Sequence, residues 1–190
     1  MSRLRLSLFI VSVLLSGCIS REVATLASLP SPLDDNSFCC WQATQKLTID
    51  FDGQQHQLLA AMAKTEQGTS IAILDPLGRR LLSIQDDGKE LDIKKTRGLP
   101  EDIPAELLLR IAQLSWWPGQ LWENLSGTNW SLDIDGGQRL LKYNKRNIIR
   151  ISGVKETSSM QAPEPSSIIT VQHYQRALKI IITTEQWQQL

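Results

Sequence analysis

From Trp41 onward the chain alternates between apolar and polar positions. Trp41, Ala43, Leu47, Ile49 and Phe51 are apolar, and Gln42, Thr44, Lys46, Thr48 and Asp50 are polar. A period of two over this length marks a half-buried strand. Asp52-Gly53 then suits a tight hairpin turn. Further strands are expected at 55–64, 69–74, 80–85 and 90–94, separated by Asp75-Pro76-Leu77-Gly78 and Asp87-Gly88.

The period then changes. Ile103, Leu107, Ile111 and Leu114 recur at helical spacing and form one face. Asp102 and Pro104 are residue types that favour a helix start. Trp116-Trp117-Pro118-Gly119 ends this helix, and a second short one over 119–125 groups Leu121, Trp122 and Leu125. Strands resume at 130–135, turn at Gly136-Gly137, and continue at 140–143, 147–151, 168–173 and 177–183. The stretch 155–167, with Pro163 and Pro165, is a loop. The expected class is mainly β with one helical insertion, about nine to eleven strands in a curved antiparallel sheet.

The N-terminus has its own pattern. Arg3 and Arg5 precede an apolar run from Leu6 to Leu15, followed by Ser16, Gly17 and Cys18. About 20 apolar residues are needed to span a bilayer, so this run is too short. It is a signal peptide over 1–17, and Leu15-Ser16-Gly17-Cys18 is the cleavage and lipidation signal of a bacterial lipoprotein. The mature chain is expected to begin at Cys18, with diacylglycerol on the sulfur and an acyl chain on the amine. Several chains anchor stably where one is marginal. Ile19 follows the cysteine, where an aspartate commonly retains lipoproteins in the inner membrane. The expected location is the outer membrane, facing the periplasm. Residues 18–37 carry Pro30, Pro32 and Asp34-Asp35-Asn36, and are expected to tether a single domain over 38–190.

Composition narrows the function. Without the leader the chain has 18 basic and 20 acidic residues, a formal charge of −2, and no nucleic-acid footprint. His56 and His173 stand alone within strand patterns, and no nucleophile elbow or metal-spaced histidine pair occurs. No catalytic residue, metal or cofactor is expected beyond the acyl groups on Cys18. Cys39 and Cys40 do not make a zinc pattern. A disulfide between neighbours would be strained, so they are expected as two small residues at a strand start.

The segment from Ser70 to Ile84 contains an apolar strand, then Asp75-Pro76-Leu77-Gly78, then a second strand. It resembles the outer-membrane lipoprotein receptors of the LolB type. The C-terminal third, with a turn near Gln175-Arg176, the strand 177–182 and Trp187, resembles them too. The resemblance implies an unclosed β-barrel around an apolar cavity, with a helical lid over about 102–126. It implies acyl or other lipidic cargo from a LolA-like periplasmic carrier, and a membrane-touching transfer loop at Asp75, Pro76, Leu77 and Gly78. Leu107, Ile111, Leu114, Trp116, Trp117 and Trp122 would line the lid and cavity. The chain departs from the receptors in having little room for a helix before the first strand and in its tryptophan-rich lid. It therefore looks like a related, uncharacterised small-lipoprotein subgroup, expected to be monomeric. The other reading is an anchored interaction module whose barrel is filled by its own side chains.

Overall fold

A computed structural model describes residues 26–33, 39–99, 103–155 and 167–190. The leader, Cys18 and Asp102 lie outside these residues, as does part of the stretch 18–37. Ten antiparallel strands form one sheet in the order β5-β4-β3-β2-β1-β10-β9-β8-β7-β6. They are β1 Trp41–Phe51, β2 Gln54–Thr65, β3 Gly68–Leu74, β4 Arg80–Asp86, β5 Leu91–Lys95, β6 Trp130–Asp135, β7 Gln138–Tyr143, β8 Arg146–Ser152, β9 Ile168–His173 and β10 Leu178–Gln189. The sheet does not close, because β5 and β6 are its two edges. Helix α1, Ala105–Trp116, and the 3-10 helix Gly119–Leu125 connect those edges.

The alternation sets the faces. Trp41, Ala43, Gln45, Leu47 and Ile49 of β1 point inward and are buried. Ile71 and Ile73 of β3, Leu82 and Ile84 of β4, and Ile180 and Ile182 of β10 join them in one core. Asp52 and Gly53 both have positive φ, as the tight hairpin requires. The last strand runs six residues beyond the expected end at Thr183, because β10 pairs along all of β1 as far as Trp41–Gln189. Its polar tail, Gln186 and Gln188, lies opposite Thr44 and Gln42 on the outer face, so alternation of apolar residues could not reveal it.

The insertion fills the trough as well as covering it. In α1 only Glu106 is fully exposed, and the helix is buried almost all round. Residues 26–33, within the stretch read as a tether, pack on its outer side. Leu26 and Leu29 are buried in the core, Leu33 N donates to Leu121 O at 2.7 Å, and Trp130 Nε1 donates to Ser28 O at 3.1 Å.

The strands give the molecule two ends. Turns 52–53, 75–79, 144–145 and 174–177 and the segment after β5 share one end, called here the Leu77 end. Turns 66–67, 87–90 and 136–137 share the other, the Glu66 end. Cys39 and Cys40, before β1, are joined as a disulfide between neighbours. This corrects the expectation of two separate small residues. The 18-residue apolar helix that a membrane span needs does not occur among the described residues.

His173 closes β9 from inside. It is buried, and its Nδ1 accepts from Gln175 N at 3.1 Å. Burial, reinforced by the Arg176 charge, pushes its pKa down to about 4. The unfolded imidazole takes its proton near its ordinary value of 6.5 and the folded one does not until about 4. Stability should therefore be full above pH 6.5 and fall as pH drops toward 4, by about 2–4 kcal/mol. Urea denaturation across this range should show that slope, and His173→Gln should flatten it. An unchanged slope in the variant would mean that another group is responsible.

Candidate functional site

Two places gather the residues singled out in the sequence: the seam between α1 and the sheet, and the β3–β4 loop. The seam is lined by Leu47, Ala60, Met62, Ile71, Ile73, Ile180 and Ile182 from the strands, and by Leu108, Ile111, Ala112 and Trp116 from α1. Its free volume is about 30 Å3, far below that of a ligand pocket. The wall is hydrocarbon apart from Gln45, which is 4% exposed. Neither Gln45 Nε2 nor Trp116 Nε1 has a hydrogen-bond partner among the described residues. Gln45 sits at the step where the β1–β10 register shifts, opposite Thr184. Such irregularities re-aim side chains and recur beside functional sites.

Of the expected lid residues, Ile111 and Trp116 reach the seam. Leu107, Leu114 and Trp122 are buried in the surrounding core. Trp117 turns away to meet Trp41 edge-on, with ring centroids 6.2 Å apart. The strand residues of the seam were legible only as a core face, since periodicity marks which side is buried but not what lies opposite. Gln45 is a polar residue at an inward position, and that break in the pattern was the available signal.

Arg139 was not singled out in the sequence. It is 2% exposed, and its Nη1 donates to Leu114 O at 2.7 Å and Trp117 O at 2.6 Å. These carbonyls at the end of α1 are without helical partners, and a cation there also suits the helix dipole. Gln113 Nε2 donates to Asp86 Oδ2 at 3.3 Å, and Arg110 Nη2 to Ser31 Oγ at 3.1 Å. The polar ties of α1 thus run from its middle to its end, while Pro104 at its start provides no side-chain cap.

The β3–β4 loop is built around Asp75. Its Oδ1 accepts from Leu77 N and Arg79 N, both at 2.9 Å, and its Oδ2 from Arg79 Nε at 2.6 Å. Gly78 N donates back to Asp75 O at 2.9 Å, and Gly78 has φ 80. Aspartate first, proline second and glycine fourth are the residues such a turn favours. Held this way, Leu77 is 81% exposed at the tip and packs in no core.

A larger hollow, about 650 Å3, lies elsewhere, on the outer face. Its floor is the cross-strand row Thr44, Ala61, Ala72 and Ser83, and its sides include Gln42, Gln85 and Gln188. Its lining mixes these polar groups with Ala63, Met62 and Trp187. Among the described residues no three His, Cys, Asp or Glu side chains gather to hold a metal.

Sequence comparison supplies the family. Residues 42–186 match a family profile described as a protein of unknown function, DUF3261. The chain belongs to this family. No curated protein matches it. Among solved structures, a LolA superfamily protein from Nitrosomonas europaea is similar over 85% of this chain and 89% of its own, at 9% identity and a TM-score of 0.41. A domain described as an outer membrane lipoprotein-sorting protein from Vibrio parahaemolyticus is similar over 81% and 86%, at 9% identity and a TM-score of 0.39.

For this DUF3261 member the loop yields a direct test. The hydrogen bond from the Arg79 amide lowers the Asp75 pKa from its ordinary 3.8; burial opposes this, and the Arg79 side chain and Leu77 amide add to it. The loop should keep its order above pH 3.8 and lose it as pH falls through the lowered value. Amide shifts of Leu77 and Arg79, followed by NMR, should move together with a midpoint below 3.8. A midpoint at or above the ordinary value would show that Asp75 does not organise the loop.

Proposed function

We propose that the protein is an outer-membrane-anchored lipoprotein of the periplasm that takes up an acyl chain, of a lipoprotein or another lipid conjugate, along the seam between α1 and the sheet. The carrying observation is the pairing of an apolar seam with two buried, unpartnered donors, Gln45 Nε2 and Trp116 Nε1. An unpaired buried amide costs about 1–3 kcal/mol, so the closed seam holds a cost that an acyl carbonyl entering it would relieve. Burial of the hydrocarbon supplies the rest, at about 25 cal/mol per Å2. Ligand pockets run to about 300–1,000 Å3, so α1 must lift for the seam to admit cargo. No covalent chemistry is needed. Cargo would come from a periplasmic carrier of the LolA kind, and the exposed Leu77 would dip into the accepting bilayer.

The tight seam favours a second reading, in which the barrel is permanently filled by α1 and the protein is an envelope interaction module. Gln45→Leu separates the two. It should raise stability by about 1–3 kcal/mol in either case, because it removes the unpaired amide. Under the cargo reading it should also weaken uptake of a fluorescent fatty acid several-fold. Wild-type protein that takes up none of the probe and co-purifies with no lipid in detergent-free mass spectrometry would leave only the second reading.

Leu77→Glu tests the loop. Delivery of bound cargo to liposomes should fall, with the thermal midpoint nearly unchanged because the side chain is exposed. An equal loss of stability would instead place the leucine in a packing role.

A further inference from the structure

Charge is sorted between the two ends of the barrel. At the Leu77 end, Arg79 and Arg80 follow the β3–β4 loop, and Lys95 and Arg97 lie at and after the end of β5. Lys145 and Arg146 occupy the β7–β8 turn, and Arg176 the β9–β10 turn. All are exposed. Against them stand the exposed carboxylates Asp50 and Asp52; Asp50 lies opposite Lys179 in the β1–β10 register, and Asp75 is occupied within its loop. The Glu66 end is the reverse. Glu66, Asp87, Glu90 and Asp135 are exposed there, with Asp86 and Asp92 half-buried, against Lys89 and Lys155.

Two exposed apolar groups accompany the basic residues. Leu77 stands at the tip, and Tyr174 is 40% exposed, with the Arg150 guanidinium 5.7 Å from its ring centre. An amphipathic ring beside cations suits a headgroup layer.

We infer that the Leu77 end is a docking face for the surface of an anionic phospholipid bilayer, with the basic loops on the headgroup phosphates and Leu77 and Tyr174 below them. The sorting of charge does not depend on the proposed lipidation of Cys18. Each cation near an anionic surface adds about 1 kcal/mol, or about fivefold in partition. The face thus fixes which end of the barrel meets lipid.

The test uses the chain from residue 18, which contains every described residue, with Cys18→Ser to remove the acyl anchor. It is floated with vesicles of phosphatidylcholine alone or with about one third phosphatidylglycerol. Binding should appear on the anionic vesicles at low salt, be at least tenfold weaker on neutral ones, and disappear at high salt as the charges are screened. The triple variant Arg80→Glu, Arg97→Glu, Arg146→Glu should lose about 100-fold in partition with an unchanged circular dichroism spectrum and thermal midpoint. Glu66→Gln with Glu90→Gln at the far end should leave binding unaltered. Equal binding to both vesicle types, or undiminished binding by the triple variant, overturns the inference. So does no binding at low salt, which would leave an acidic protein surface as the partner of this face. Protein that floats but takes up no fatty acid keeps the docking face and sinks the cargo reading instead.

Discussion

The structure depends on the pairing of its first strand with its last. β1 and β10 lie side by side from Trp41–Gln189 to Phe51–Leu178, at the centre of the sheet. On one side, β1 to β5 form a meander of local hairpins; on the other, β6 to β10 form a second. Only the β1–β10 ladder joins the two halves within the sheet. The register also decides the interior. It sets Leu47 opposite Ile182 and Ile49 opposite Ile180 on the inner face, and a slip of one residue would turn that whole row outward. Contacts this distant in sequence carry the loop-closure cost of the entire chain, so long strands on both sides are what make the junction hold.

The unclosed edges follow from the same order. With the termini paired at the centre, the middle of the chain must carry the connection between β5 and β6. That connection is α1 and the 3-10 helix, and it reaches the opening of the barrel because its two ends are the barrel's two edges. The helix is held there by apolar burial together with Arg139, which comes from the second half of the sheet to bind the carbonyls of Leu114 and Trp117. One buried guanidinium thereby ties the insertion to a strand distant in sequence.

Much of this was legible in the sequence. Alternation gave the strands, and Asp52-Gly53 and Gly136-Gly137 their turns, because period and turn chemistry are local properties. Helix α1 and its break at Trp117-Pro118 were legible for the same reason. The polar end of β10 was not, since Gln186 and Gln188 show no apolar alternation and are held by β1. Arg139 was hidden because a lone arginine in a strand pattern looks like a solvated residue until the helix above it is placed. Leu77 was readable as a protruding residue from Pro76 and Gly78, whereas the role of Asp75 in holding the loop needed the geometry of Leu77 N and Arg79 N. The sorting of charge between the ends was invisible in a net charge near zero, because it depends on which turns the topology gathers.

These features bear on how the seam could open. The polar ties of α1 run from its middle to its end, at Arg110, Gln113 and the carbonyls bound by Arg139. The first turn, near the Leu77 end, has no side-chain cap. Lifting the second half would expose the carbonyls of Leu114 and Trp117 and strand a buried cation, a loss of several kcal/mol. Lifting the first turn breaks no side-chain hydrogen bond that caps the helix and exposes mainly apolar surface, which lipid or an entering acyl chain would cover. The low-cost route into the seam therefore starts at the end that carries Leu77 and the basic loops. An acyl chain entering there would leave the bilayer and meet the seam without crossing water. The ties at the far end would then act as a hinge, returning α1 to the sheet once the chain has left.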